Sequence, residues 1–220
     1  MSEFIPEDLF VDEPIFTVRW RLHCRALPLK NRHLRAFEQR NVGNGLASWA
    51  RQHIEWTLAE GTAKHPDGVL ALAVDEQGRA VMSAEAYEPL AATSVADLLE
   101  RVAGQEEQPV EGEVVWVYRG GAFTVLADAS KPLSGVNSLM ADLAKTRGKP
   151  VSVAPRAELA PDFWDLGAGD EVMLVSDEHG VVGASGASGE VAAQFTAYYA
   201  RLVGITRPDV YDRANLGIIG

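Results

Sequence analysis

Two stretches of this chain hold the residue types best suited to ligand chemistry: a glycine-serine loop late in the sequence and a basic segment near its start. The loop, Gly183-Ala184-Ser185-Gly186-Ala187-Ser188-Gly189, falls between a strand-like run and a helix-like run. A helix start offers unpaired backbone N–H groups and the positive end of the helix dipole, and glycines let a phosphate approach closely. Ser185, Gly186 and Ser188 are therefore candidate anion-binding residues. Against this, the loop lacks the Gly-Lys-Ser/Thr ending of a P-loop, and Glu190 follows directly where an anion would dock, so a flexible connector is the competing reading. The basic segment carries Arg19, Arg21, Arg25, Lys30, Arg32, Arg35 and Arg40 against a single acid, Glu38. Arg19, Arg21, Arg25, Arg32 and Arg35 are candidates for holding a small anion or an acidic partner. The alternative is that they pair with the protein's own acids, among them Glu3, Glu7, Asp8, Asp12 and Glu13.

Other reactive residue types do not assemble into a set. His23, His33, His53, His65 and His179 have no metal-ligand spacing with cysteine or acids, and adjacent His23 and Cys24 would point to opposite faces of a strand. No metal is expected. Cys24 is the sole cysteine, so no internal disulfide can form; as a thiol nucleophile it has inventory without geometry, and a packed role is expected. His53 falls on the apolar side of its helix and His179 in a turn. Glu106 with Glu107 and Asp177 with Glu178 fall in a linker and a turn, where solvation explains them without acid–base work. No catalytic residue is assigned.

The elements that would position these residues recur. A strand, a turn, a second strand and an amphipathic helix ending at glycine run from Gly68 to Gly104, from Glu113 to Gly148 and from Glu171 to Gly204. Two copies turn on related tetrapeptides, Asp75-Glu76-Gln77-Gly78 and Asp177-Glu178-His179-Gly180, whose glycines suit a left-handed turn residue. Val95, Leu98, Leu99 and Val102, then Val136, Leu139, Met140 and Leu143, then Val191, Phe195, Tyr198, Tyr199 and Leu202 make single apolar stripes. Ahead of the repeats, Phe16, Val18 and Trp20 predict a strand, Leu34 and Phe37 a short helix, and Leu46, Trp49, His53 and Trp56 a second helix with both tryptophans inward. Gln105 to Gly112 reads as an acidic linker. Such units cannot bury their apolar faces singly, so the expected fold is α+β, with strands pooled into a mostly antiparallel sheet, or two, and helices packed on one side. The whole chain, 1–220, is expected to form one globular unit, with possible subdomains 1–110 and 111–220.

Composition narrows the function classes. At 220 residues with 47% hydrophobic and 23% charged residues, the chain can bury a real core. A net charge of −11 argues against nucleic acid as a partner, and no apolar run approaches the roughly 18 residues of a membrane span. With no signal-like start, the expected location is the cytoplasm.

Several stretches resemble class IV pyridoxal-phosphate enzymes, the group of branched-chain aminotransferases and aminodeoxychorismate lyases. They are Phe16-Thr17-Val18-Arg19-Trp20, His33-Leu34-Arg35, Val114-Val115-Trp116-Val117 with its glycine turn, Leu133-Ser134-Gly135-Val136, Lys149-Pro150-Val151 to Leu159, and Asp170-Glu171-Val172-Met173-Leu174 before His179-Gly180-Val181. The resemblance implies pyridoxal phosphate, a Schiff-base lysine and a glutamate facing the pyridine nitrogen. Lys131 and Lys149 are nominal candidates for that lysine, and Gly183 stands where the glutamate is wanted. With neither group placed, the leading expectation is a non-catalytic binding or adaptor protein without a cofactor, its partner a protein or small anionic ligand. The alternative is a pyridoxal-phosphate-dependent aminotransferase-like or lyase-like enzyme.

Overall fold

A computed structural model describes residues 14–39, 45–103 and 112–204. The acids Glu3 to Glu13, Arg40, and the linker acids Glu106 and Glu107 lie outside the described residues.

The fold is α+β with two sheets. The smaller is antiparallel, in the order β1 (Phe16–Arg21), β2 (Val69–Val74), β3 (Ala80–Glu85). Alternation along β1 sends Phe16, Val18 and Trp20 into a core shared with Leu70, Leu72 and Val74. Leu34 and Phe37 of α1 (Lys30–Gln39) and Ala50 and Ile54 of α2 (Leu46–Glu60) close that core. Each fully buried large apolar side chain there, such as Trp20 or Phe37, contributes roughly 1.5–3 kcal/mol. The same alternation leaves Thr17, Arg19 and Arg21 on the opposite face, with Arg19 in register with Ala71 and Ser83, and Arg21 with Val69 and Glu85. Ala71 and Ser83 are small and leave Arg19 room to extend.

One local expectation fails in α2. Its buried residues are Ala50, Ile54 and Thr57, so Trp56 is 64% exposed while Trp49 stacks on His53 with ring centroids 3.9 Å apart. The helix is turned so that Ala50, Ile54 and Thr57, and not Trp56, face the interior.

The larger sheet runs β6 (Val151–Ala154), β5 (Ala122–Leu126), β4 (Glu113–Arg119), β7 (Glu171–Ser176), β8 (Gly180–Gly183). All its pairings are antiparallel except β5 with β6, which are linked by α4 (Gly135–Thr146) as a crossover. The strands of the repeats are thus divided: the first copy stays in the small sheet, and the second and third meet where β4 pairs with β7. On one face Trp116, Phe123, Met173 and Val175 pack against Val136 and Met140 of α4 and Phe195 and Tyr199 of α5 (Glu190–Val203). On the other, Val115, Val117, Val172 and Leu174 meet Leu98, Leu99 and Val102 of α3 (Val95–Ala103), with Phe163 and Trp164 alongside. Helices therefore cover both faces of this sheet, and β7 is buried along its whole length. Among the described residues no helix is long and apolar enough to cross a membrane.

Candidate functional site

The turn from β7 to β8 reaches between the two sheets. Gly180 takes φ +74°, and the backbone N–H of Arg21 donates to the carbonyl of Asp177 at 3.0 Å, tying the end of β1 to this turn. Asp177 is buried. Its Oδ1 accepts from the Ser134 hydroxyl at 2.9 Å and from the Val136 N–H at 2.7 Å, so a distant carboxylate caps the start of α4. Oδ2 lies 3.3 Å from His33 Nδ1, within ion-pair range although no well-aligned hydrogen bond joins them. Beside it, the Asn137 amide donates to Ser134 Oγ at 3.0 Å and the Val175 carbonyl at 3.2 Å, and accepts from the Trp116 indole N–H at 2.8 Å. Buried polar groups satisfied in this way fix the register of α4 on the sheet.

The next two residues of the turn face a cleft. The Arg19 guanidinium forks onto Glu178, Nε donating to Oε2 at 2.7 Å and Nη2 to Oε1 at 3.1 Å, while Nη1 donates to Glu85 at 2.7 Å. The hydrogen bond to Glu178, foremost, holds Arg19 charged well beyond the usual arginine range. Burial works to raise the Glu85 pKa, but the bonds from Arg19 and Ser83 outweigh it and hold this carboxyl below the usual range. Arg101 makes a second fork, onto Glu113, at 2.6 and 3.0 Å, and Ser176 Oγ–H donates to the same carboxylate at 3.1 Å. His179 completes the group. Its Nε2 is 3.4 Å from Glu113 and 3.1 Å from Arg101, its Nδ1 is 3.3 Å from the Tyr87 hydroxyl, and its side chain is 3% exposed. Burial pushes its pKa below the ordinary 6.5 despite Glu178 and Glu113, leaving a neutral imidazole near neutral pH. A cavity of about 80 Å³ lies here, lined by Thr17, Arg19, Arg101, Gly112, Glu113, Ser176 and Glu178. Next to it Arg21 stacks over the Tyr87 ring, 3.3 Å from its centroid, with Nη1 buried and without a hydrogen-bond partner. Such a site can orient a charged small molecule between guanidinium and carboxylate groups and accept a proton at His179.

The basic segment does not form one patch. β1 alternation puts Arg19 and Arg21 on one face, where Arg19 lines the cleft and Arg21 stacks on Tyr87 beside it, whereas Arg25 turns to Thr62 Oγ1 at 3.3 Å and the Ala59 carbonyl at 3.4 Å. Arg32 reaches α4, donating to Ser138 at 3.1 Å and Asp142 at 3.0 Å, and Arg35 is exposed on α1. Ser185, Gly186 and Ser188 lie in the loop before α5, none of them buried. The helix start that made this loop a candidate is already filled: Glu171 accepts from the N–H groups of Gly189, Val191 and Ala192 at 2.9, 3.0 and 2.7 Å. Sequence reasoning missed Tyr87, Arg101, Glu113, Asp177, Glu178 and His179 as site residues. Glu113 and Ser176 carried a usable signal, since each is a polar residue at the end of an otherwise unbroken apolar strand.

No protein-family model matches the sequence, and no curated protein sequence does either. Solved structures do. A 4-amino-4-deoxychorismate lyase from Pseudomonas aeruginosa matches with TM-score 0.53 at 15% identity, over 84% of this chain and 89% of its own. A hypothetical aminotransferase from Mycobacterium tuberculosis, in its alpha-ketoglutarate and PMP bound form, matches with TM-score 0.58 at 14% identity, over 94% of this chain and 95% of that one. A T.th. branched-chain amino acid aminotransferase with pyridoxamine 5'-phosphate matches with TM-score 0.51 at 14% identity, over 88% and 86%. The chain therefore shares the fold of class IV pyridoxal-phosphate enzymes along nearly its whole length. This overturns the expectation of a non-catalytic binding or adaptor protein with no cofactor: the architecture is that of aminotransferases and lyases, and the alternative drawn from the sequence is the better supported.

Proposed function

We propose that the protein is an aminotransferase-like or lyase-like enzyme that works in the cleft between its two sheets, with pyridoxal phosphate as the cofactor that this architecture brings. The observation that carries the reading is the fold likeness to a hypothetical aminotransferase across 94% of the chain, together with a charged cleft between the sheets.

The side chains present do not fit a cofactor anchored through lysine. Lys30 pairs with Glu55, Lys149 donates to the Tyr118 hydroxyl at 3.0 Å, Lys131 follows the Asp128 turn, and Lys64 and Lys145 are exposed; none borders the cleft. Nor do the starts of the two helices beside the sheet junction offer a phosphate seat, since Asp177 occupies that of α4 and Glu171 that of α5. The cofactor accordingly enters as a dissociable ligand, and no step runs through a lysine bond. The chain's own contribution is then electrostatic and acid–base. Arg19 and Arg101 fix Glu178 and Glu113 in place, Arg21, stacked on Tyr87, adds positive charge beside the cleft, and the neutral imidazole of His179 can take a proton, its orientation held by Tyr87.

Absorbance titration of the purified protein with pyridoxal phosphate and pyridoxamine phosphate tests this. The expected result is a saturable spectral change that dialysis removes and that borohydride does not fix to the protein. Absence of any saturable change with either compound would overturn the proposal, and a borohydride-fixed adduct on one of the lysines would overturn its dissociable form.

A further inference from the structure

We propose that His23, Cys24 and Asp67 form a surface site for a soft divalent cation, with zinc the best fit. Adjacent residues of a strand would face opposite ways, but β1 ends at Arg21 and the chain then doubles back. Cys24 and Arg25 take left-handed conformations, with φ +49° and +64°, and His23 pairs with Ala26 across the turn. The thiol and imidazole are thereby brought to the same side: Cys24 Sγ lies 3.5 Å from His23 Nε2. Two ligands of one tetrahedral zinc ion, sulfur at ~2.3 Å and nitrogen at ~2.0–2.1 Å, are separated by about 3.6 Å.

The carboxylate completes the set. Asp67 lies 3.1 Å from His23 Nδ1, and one ligand atom from each of the three residues falls within 4.8 Å of the others. Asp67 either ligates directly or holds the imidazole from behind, leaving Nε2 free for the metal. The turn is pre-arranged for this, because the Cys24 N–H donates to Asp67 Oδ1 at 2.9 Å and the Arg25 N–H to the Pro66 carbonyl at 2.7 Å. The neighbouring cation is directed away, the Arg25 guanidinium pointing to Thr62 and Ala59. The C-terminal end of α5 approaches from the other side, where a side chain at Gly204 would come within 3.8 Å of the His23 ring, and the negative end of a helix dipole favours a cation. Cys24 and Asp67 are exposed, so water can fill the remaining position. Thiolate, imidazole and carboxylate together select zinc or cobalt over calcium or magnesium. On binding, the sulfur–metal bond forms as the thiol proton leaves to solvent.

The buried trio Glu113, Glu178 and His179 also gathers ligand atoms, but there Arg101 and Arg19 already neutralise both carboxylates. The two locations are separable by experiment. The full chain is titrated with zinc alone against a chromophoric chelator, and with cobalt alone while the near-ultraviolet thiolate-to-cobalt absorption is followed. One ion per chain and a thiolate band are expected. Cys24→Ser should abolish the band and weaken zinc roughly 100-fold or more, and Asp67→Asn should keep the band but weaken binding ~10–100-fold. A wild-type protein without the band, a Cys24→Ser variant with undiminished affinity, or loss of binding in His179→Gln but not in Cys24→Ser would each overturn the proposal.

Discussion

The hairpin turns Asp75-Glu76-Gln77-Gly78 and Asp177-Glu178-His179-Gly180 are near copies in sequence, and both bury their aspartate, but they differ in the partners they find. In the first, Asp75 accepts from its own turn, from the Arg79 N–H at 2.8 Å, the Arg79 side chain at 2.5 Å and the Gln77 backbone, and Gly78 has open space where a methyl group would go. In the second, Asp177 caps a helix from another part of the chain, Glu178 takes the fork of a residue 159 positions away, and Gly180 lies against the Tyr199 ring. A local turn code thus makes the hairpin in both cases and buries both aspartates, while the layer placed above it decides whether the turn's side chains bond only within the hairpin or reach distant residues to become a site.

The sharpest way to break this comparison is to remove the leading aspartate from each turn. Asp177→Ala strands the Ser134 hydroxyl and the Val136 N–H in the interior and should lower unfolding free energy by about 3–5 kcal/mol, whereas Asp75→Ala should cost far less because Arg79 can reach water. Equal shifts in urea midpoints would mean that the two turns are equivalent after all. The glycines give the next largest contrast. A Cβ at Gly180 would stand 2.3 Å from the Tyr199 ring, so Gly180→Ala should cost about 3 kcal/mol from strain and overpacking together, and Gly78→Ala about 1 kcal/mol from left-handed strain alone. Thermal unfolding distinguishes them.

A pH effect should follow from His179. Burial lowers its folded-state pKa below 6.5, so the unfolded chain binds the proton more readily, and stability should fall as pH drops through 6.5 and level off below the folded value. His179→Gln should flatten that part of the profile. The hairpin of Asp75 contains no histidine; burial works to raise the Asp75 carboxyl, but its bonds to Arg79 hold it below the usual range, so its contribution is lost only in stronger acid, as pH falls below the ordinary aspartate range. Smallest of all, Arg32→Gln, which removes the partly exposed pair with Asp142 between α1 and α4, should change unfolding free energy by less than about 1 kcal/mol. A larger loss would place part of the coupling between the layers on the surface instead of at Asp177.

Where information was local, the sequence was readable. The apolar stripe of α3, the alternation of β1 and the glycine turns all follow from period and propensity within a dozen residues, and the α+β class with them. Assignment of strands to sheets was not local: nothing near Val69–Val74 says that it pairs with β1 and not with β4. The site was hidden for the same reason. Asp177, Glu178 and His179 are ordinary turn residues until Arg19, Ser134 and Tyr87 arrive from elsewhere, and Trp56 looked like core because it shares a three- and four-residue spacing with Leu46, Trp49 and His53, whereas the buried face is Ala50–Ile54–Thr57. Cys24, expected to be packed, is exposed, because the chain beyond β1 turns left-handed there.

Gly135 carries one more consequence. A methyl group there would meet His33 Nδ1 at 2.3 Å, at the point where α1 of the small layer meets α4 of the large one. The approach of α1 to α4 at this point thus depends on an absent carbon atom. Anything bulkier would have to displace the His33 ring, which sits beside Asp177, and so would disturb the carboxylate that caps α4 without altering a single residue that lines the cleft.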